Sequence, residues 1–272
     1  MKPSANAVQP NKKTVRFSTA IGKNKPETLV TGRSECPFCH PESLENIVDT
    51  DGDIVFLKNK YNVLVDAEQF VLVESSRCDD GIEQYDPEKL HRLFRLALKH
   101  YYLMLNNPDY KSVVFFKNHG PLSGGTIRHP HMQLIGLYDI EPESLYEPEN
   151  FIPAKEPIIQ RDGLVLSASA FPRLGFSEFT VVSSTYPLDD TTTNTLSDII
   201  QSVVRFLLKI DWRERPSYNL FFYYLNKQNK LAVRILPRYP TSPLFVGYDL
   251  RIVPDNIPAL SEKLRNFILE KG

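Results

Sequence analysis

Two groups of residues have the types and the spacing to do chemistry. The first lies between Asn118 and Gln133, where Gly120, Gly124, Gly125 and Thr126 precede the run His129, Pro130, His131, Met132, Gln133. The second is Cys36, Cys39 and Cys78. A neutral imidazole is a nucleophile near pH 7, and the phosphoramidate it forms with phosphorus can be broken again. Glycines beside it let backbone N–H groups approach an anion, because no Cβ stands in the way. Strand alternation would set His129, His131 and Gln133 on one face, with Met132 and Leu134 on the other. A His-x-His pair by itself reads most simply as a surface pair or a chance chelate. The asparagine, the paired glycines and the following glutamine turn the reading toward a phosphate held and attacked by a ring nitrogen.

Cys36-Pro37-Phe38-Cys39 is either a redox pair or half of a zinc site. A redox pair belongs at a helix start inside a βαβ unit. Here Arg33-Ser34-Glu35 precedes the motif and no strand leads into it. Zinc is the better reading, and it needs two further ligands. The chain has 3 cysteines, an odd number that no fully paired disulfide scheme uses. In a reducing compartment the thiolates are free for a metal.

The elements that must position these groups emerge from apolar spacing. A strand over 112–116 feeds the glycine-rich turn, and a second over 131–137 leads out of it. Another strand, Phe70 to Glu74, ends just before Cys78. Asp86 and Pro87 open a helix that runs to Asn106, with Leu90, Phe94, Ala97 and Tyr101 on its buried side. His91 and His100 on it are surface or packing residues. After residue 137 comes an acidic, proline-interrupted connector with Glu141, Glu143, Glu147 and Glu149. The second half then echoes the first: a strand at Phe179–Val182, a helix over 191–210, and strands over 218–224 and 231–236. A last amphipathic helix runs from Ile257 to about Leu269. The fold class is therefore α+β, a mostly antiparallel sheet with packed helices, built as two repeats. The second repeat has no histidine, since His131 is the last in the chain. It should shape the site without catalysing.

At 272 residues with a formal charge of −1 and 42% hydrophobic content, the chain is an ordinary globular protein. That balance gives no support to nucleic-acid or membrane-surface binding, both of which draw on a basic excess. No apolar run reaches membrane-spanning length, and the first residues lack the apolar middle of a signal peptide. A cytoplasmic location is expected. Residues 1–20 read as a flexible tail, and Ala20 to Glu27 as an ordered segment lying over the site.

The run Asn118-x-Gly120-x3-Gly124-x-Thr126-x2-His129-Pro130-His131-x-Gln133 resembles the signature of galactose-1-phosphate uridylyltransferases, a branch of the histidine-triad superfamily in which Gln replaces the last histidine. The resemblance covers roughly residues 20–250. It implies that His131 is the nucleophile carrying the nucleotidyl group, that His129 is a zinc ligand, and that Asn118, Thr126 (usually Ser) and Gln133 contact phosphates beside Gly124 and Gly125. Cys78 stands where the family usually has a zinc-binding histidine. The implied cofactor is one structural Zn2+ held by Cys36, Cys39, Cys78 and His129. Asn59 and Tyr61 fall in a turn similar to the family's nucleotide-binding turn, with Asn62 where the family has Pro. Val246, Tyr248 and Asp249 match the late sugar-contacting segment, with Asp for Glu and with Pro243 where the family tends to have Lys. Arg238 is either a phosphate anchor or a surface ion pair.

The resemblance divides the chain in two: a catalytic histidine-triad-like half with the zinc site over 21–140, and a degenerate histidine-triad-like half with the C-terminal helix over 141–272. The implied activity moves a nucleoside monophosphate between a nucleotide sugar and a sugar 1-phosphate through a nucleotidyl-histidine. The partners are then those two substrates, and a homodimer is left open. A phosphorylase or hydrolase of dinucleoside polyphosphates or nucleotide sugars is the alternative on the same scaffold. A nucleotide-binding protein without turnover is the third reading.

Overall fold

The computed structural model of the protein describes residues 13–29, 32, 35–174, 178–211 and 216–270. In chain order the first half forms a short helix α1 (Thr19–Gly22), strands β1 (Ile47–Asp51), β2 (Ile54–Lys58) and β3 (Ala67–Val73), helix α2 (Pro87–Leu105), and strands β4 (Ser112–His119) and β5 (His131–Leu137). The pattern then repeats as β6 (Ile159–Arg161), β7 (Leu164–Ala168), β8 (Phe179–Ser183), α3 (Asp190–Ile210), β9 (Tyr218–Leu225) and β10 (Lys230–Pro237). Helices α4 (Pro243–Tyr248) and α5 (Ile257–Leu269) end the chain. One 10-stranded sheet takes the order β1-β2-β3-β5-β4-β9-β10-β8-β7-β6, and its pairings are antiparallel. Outward from the β4–β9 junction, both halves give the same strand pattern. The α+β class and the duplication are thus visible in topology.

Two hairpins at the sheet edges, β1–β2 and β6–β7, were not expected. Each has a two-residue turn, Gly52-Asp53 in the first and Asp162-Gly163 in the second. Asp162 and Gly163 take φ of 49° and 74°, the left-handed values that let a short turn match the strands' own twist.

The long helices begin where sequence chemistry places them. The Asp86 carboxylate accepts the Lys89 N–H at 2.9 Å, and Asp189 accepts the Thr192 N–H at 2.7 Å, each satisfying a donor left over at a helix start. Leu90, Phe94, Ala97 and Tyr101 of α2, and Leu196, Ile200 and Val203 of α3, are buried in the main core. Phe115, Met132 and Leu134 meet them there from the sheet. That fixes the geometry of the site, because strand alternation sends His131 and Gln133 to the face the helices leave open.

His91 pairs with Asp198 at 2.8 Å, and His100 lies on Phe56 with ring centroids 4.0 Å apart, a surface and a packing role. The expected flexible tail is cut short. Residues 1–12 lie outside the described residues, but Phe17 bridges to Leu64 and the Val65 N–H donates to the Arg16 carbonyl at 3.0 Å. The acidic connector folds into two 3-10 turns, Pro142–Leu145 and Pro148–Phe151. No helix among the described residues is long and apolar enough to cross a membrane.

Candidate active site and metal cluster

Three segments converge at the start of β5. The Cys36 knuckle folds as a 3-10 turn over Pro37–Cys39, with the Cys39 N–H on the Cys36 carbonyl at 3.2 Å. Cys78 comes from the loop after β3, and His129 from the lead-in to β5. His129 is not on the strand, as simple alternation had placed it. Pro130 offers no N–H to the ladder, and its carbonyl instead accepts the Glu74 N–H at 3.1 Å. The strand therefore starts at His131, paired with Val73.

The ligand atoms of Cys36, Cys39, Cys78 and His129 all lie within 4.8 Å of one another. His129 Nε2 is 2.7 Å from the Ser75 carbonyl. A carbonyl only accepts, so Nε2 carries the proton, and the lone pair of Nδ1 is left facing Cys39 Sγ at 3.5 Å. Burial, and next the neighbouring thiol of Cys39, push the Cys78 thiol up to about 12. Burial likewise pushes the Cys36 thiol up. Three thiols and one correctly tautomerised imidazole suit a single tetrahedral ion with no open position.

His131 stands next to this cluster with its ring held from behind. Its Nδ1 donates to the His129 carbonyl at 2.8 Å, which leaves the Nε2 lone pair without a proton to carry. Burial, with the cation of Lys117 adding to it, pushes its pKa down to about 4 after the partly opposing His129 hydrogen bond. The ring is therefore neutral near pH 7. Phe38 packs against both imidazoles, its centroid 5.8 Å from His129 and 5.6 Å from His131.

A cavity of about 360 Å³ opens in front of His131 and is also lined by Gln133, Asn118, Gly124, Gly125, Thr126, Asn59, Tyr61 and Lys25. Phe38, Leu57, Val71 and Ile127 give it an apolar wall. Seven residues expected at the substrate are thus brought together: Asn59, Asn118, Gly124, Gly125, Thr126, His131 and Gln133. The glycine-rich loop needs its glycines. Gly120 has φ 79°, and a Cβ there would lie 2.5 Å from the Pro216 carbonyl. Gly124 has φ 86°, the left-handed region in which side chains are strained.

The segment before the knuckle closes one wall of this cavity. The Thr126 carbonyl accepts the Thr28 N–H at 2.8 Å, and the Arg128 N–H reaches Thr28 Oγ1 at 2.9 Å. This hangs Lys25 and Pro26 over the site, as expected of residues 20–27. Within that segment Lys25 was not singled out as a candidate substrate contact. Its ammonium forms no ion pair among the described residues, and burial lowers its pKa.

Four other expectations do not reach the cavity. Arg238 does not line it: its Nη1 lies 2.5 Å from Asn219 Oδ1. Val246, Tyr248 and Asp249 do not line it either. Ser242 caps α4, which turns Val246 and Tyr248 outward with 74% and 75% of their surface exposed, and Asp249 ends the helix in a left-handed conformation. A further cavity of about 380 Å³, with Tyr110, Phe116, Tyr146 and Tyr223 on its walls, has no imidazole and no glycine loop.

A duplicated antiparallel sheet with a His-Pro-His-x-Gln run leaving a glycine loop defines the class: the fold is shared with a GalT-like protein and with a uridylyltransferase. A GalT-like protein of Arabidopsis thaliana superposes with a TM-score of 0.69 at 17% identity, covering 93% of this chain and 98% of that one. An ADP-glucose phosphorylase of the same plant, solved with bound ADP-glucose, superposes with a TM-score of 0.68 at 16% identity, covering 92% and 94%. More specifically, the chain belongs to the DUF4931 family, described as a domain of unknown function. Its N-terminal domain profile matches residues 17–140 and its C-terminal one residues 146–268. A DUF4931 family protein from Bacillus cereus ATCC 10987 is 36% identical over 81% of this chain and 98% of its own, with a TM-score of 0.70. Among curated proteins, none matches the chain by sequence.

Proposed function

We propose that the protein is a nucleotidyltransferase working through a nucleotidyl-histidine on His131. The observation that carries this reading is the ring itself, with Nδ1 tied to the His129 carbonyl at 2.8 Å in a cavity shared with Asn118, Thr126 and Gln133. In the first step Nε2 attacks the α-phosphorus of a nucleoside diphosphate sugar. The N–P bond forms as the bridging P–O bond breaks, and the sugar 1-phosphate leaves. In the second step a phosphate oxygen of the acceptor attacks the same phosphorus and the N–P bond breaks. The Gln133 amide, the loop N–H groups and the Lys25 ammonium meet the charge on the phosphoryl oxygens. A phosphate leaving group needs no proton and a glutamine has none to give. The site thus favours transfer to phosphate acceptors over hydrolysis.

Cys36, Cys39, Cys78 and His129 would hold one Zn2+, which when bound supplies a crosslink rather than a reactive position. Fixing His129 also fixes the carbonyl that grips His131. Asn59 and Tyr61 serve the ribose or base, with the base against Phe38, Leu57 and Val71. Free thiols of this kind suit a cytoplasmic setting.

A phosphorylase is the second reading, and one observation favours it. The residues expected to read a hexose, Val246, Tyr248 and Asp249, stand away from the cavity, so among the described residues none expected to read a sugar lines it. The test is to incubate the enzyme with ADP-glucose or UDP-glucose and either glucose or galactose 1-phosphate, or inorganic phosphate. Nucleotide sugar exchange identifies the transferase and nucleoside diphosphate release the phosphorylase. Absence of both under every pairing contradicts nucleotidyl transfer.

A further inference from the structure

We infer that Arg238 and Asn219, both from the half without histidines, orient the Asn118 amide so that it offers a hydrogen-bond donor to the substrate's phosphate. This rests on the functional reading above and assigns two positioning residues to it.

Asn118 on β4 and Asn219 on β9 are cross-strand partners. Arg238 Nη1 lies 2.5 Å from one end of the Asn219 amide. A guanidinium has donors only, so that end is the oxygen, whatever the amide could do elsewhere. The other end of Asn219 is then the donor. It faces three acceptors: the Ser123 carbonyl at 3.1 Å, the Lys117 carbonyl at 3.3 Å and Asn118 Oδ1 at 2.7 Å. With its oxygen taken, Asn118 has its NH2 left for the cavity it lines.

Phosphate oxygens at the site accept and do not donate. An amide presented the other way round would set oxygen against oxygen. Asn219 is fully buried, so water does not compete to turn it over. The polarity of the chain Arg238, Asn219, Asn118 is therefore dictated by the one member that cannot accept. The same Asn219 amide also braces the Ser123 carbonyl of the glycine loop.

Asn219→Asp tests this directly. The new carboxylate keeps a partner for Arg238 but cannot donate to Asn118, which must turn its NH2 inward and its oxygen toward the phosphate. Calorimetric binding of AMP and UMP, set beside adenosine and uridine, reads the effect, with thermal melting as the control for folding. The expected result is melting close to wild type, unchanged nucleoside affinity, and nucleoside monophosphate affinity about tenfold weaker. Arg238→Met, which frees both amides to flip, should lose about threefold on the monophosphates alone. Equal loss for nucleosides and monophosphates would reduce Asn219 to a brace, and undiminished monophosphate affinity in N219D would overturn the relay. If the wild-type protein binds none of the four probes, the functional reading itself fails, and the relay with it.

Discussion

The two halves of the sheet carry one strand pattern and use it in opposite ways. Phe116 and Phe221 face each other across the β4–β9 junction. Next to them, at matched positions, stand Gln133 and Arg234. Two residues earlier come His131 in one half and Ala232 in the other. In the first half these positions open on the cavity. In the second, Arg234 is ion-paired with Glu178 in the interior, and Glu178 Oε1 also accepts the Arg173 and Leu174 N–H groups at 2.8 and 3.1 Å. The connections differ to match. Strands β4 and β5 are joined by the glycine-bearing loop 120–130, and β9 and β10 by the tight turn 226–229. A long loop leaves a space that a ligand can fill. A short turn and a buried ion pair fill that space with protein. The second half reaches the first half's loop through Asn219 and Arg238, whose side chains meet Asn118 Oδ1 and the Ser123 carbonyl.

The contrast is sharpest at the nucleophile. His131→Gly should lower transfer on the order of 10⁴-fold or more. The matched change Ala232→Gly should cost only about 1 kcal/mol of stability and leave turnover intact. Steady-state rates and urea midpoints on both variants check this. At the neighbouring pair the effects should cross over. Gln133→Met removes a donor to the phosphoryl oxygens and should slow transfer about 10²-fold with little loss of stability. Arg234→Met leaves Glu178 buried and unpaired and should destabilise by about 3–5 kcal/mol, with kcat per folded molecule unchanged.

The four side chains that could hold a metal, Cys36, Cys39, Cys78 and His129, all lie in the first half. Cys39→Ser should drop metal content from about one ion per chain toward zero by elemental analysis, and lower Tm by about 10 °C at roughly 2–4 °C per kcal/mol. The smallest effect is on pH. The neutral ring is the nucleophile, and burial holds the His131 pKa at about 4. The rate should stay level from about pH 8 down to about pH 5.5 and fall as pH nears that pKa. The stability linkage has the same direction. The ring's folded pKa is below the ordinary histidine value of about 6.5, so its contribution is complete above about 6.5 and is lost as pH falls toward about 4. An exposed nucleophile would instead lose rate from about 6.5 downward.

Much of the site was legible because its residues are contiguous. Asn118, Thr126, His131 and Gln133 lie on one loop and the strand ends flanking it, so their spacing in sequence is close to their grouping in space. The metal set was legible because cysteine is scarce in the chain. The central strands and both long helices were readable from apolar spacing and from Asp86 with Pro87. β1 was not, because as an edge strand it carries Asp49, Thr50 and Asp51 and lacks a buried stripe. The Gly52-Asp53 and Asp162-Gly163 turns were the readable signal for the two outer hairpins. Ser242 with Pro243 marked α4 in the same way. Lys25 had no such signal, since its place depends on the Thr28–Thr126 bond formed across the fold. The place of Arg238 had no sequence signal, because a guanidinium suits a phosphate and an amide oxygen equally well, and its contact with Asn219 arises only in the fold.

The central claim is that phosphorus becomes bonded to one ring nitrogen. The measurement is intact mass, then peptide mapping under neutral conditions, after mixing the protein with ADP-glucose or UDP-glucose and no acceptor. The account predicts an acid-labile gain of one nucleoside monophosphate on the peptide bearing His131, absent in H131G. Turnover with no adduct, or with the adduct on another residue, would contradict it.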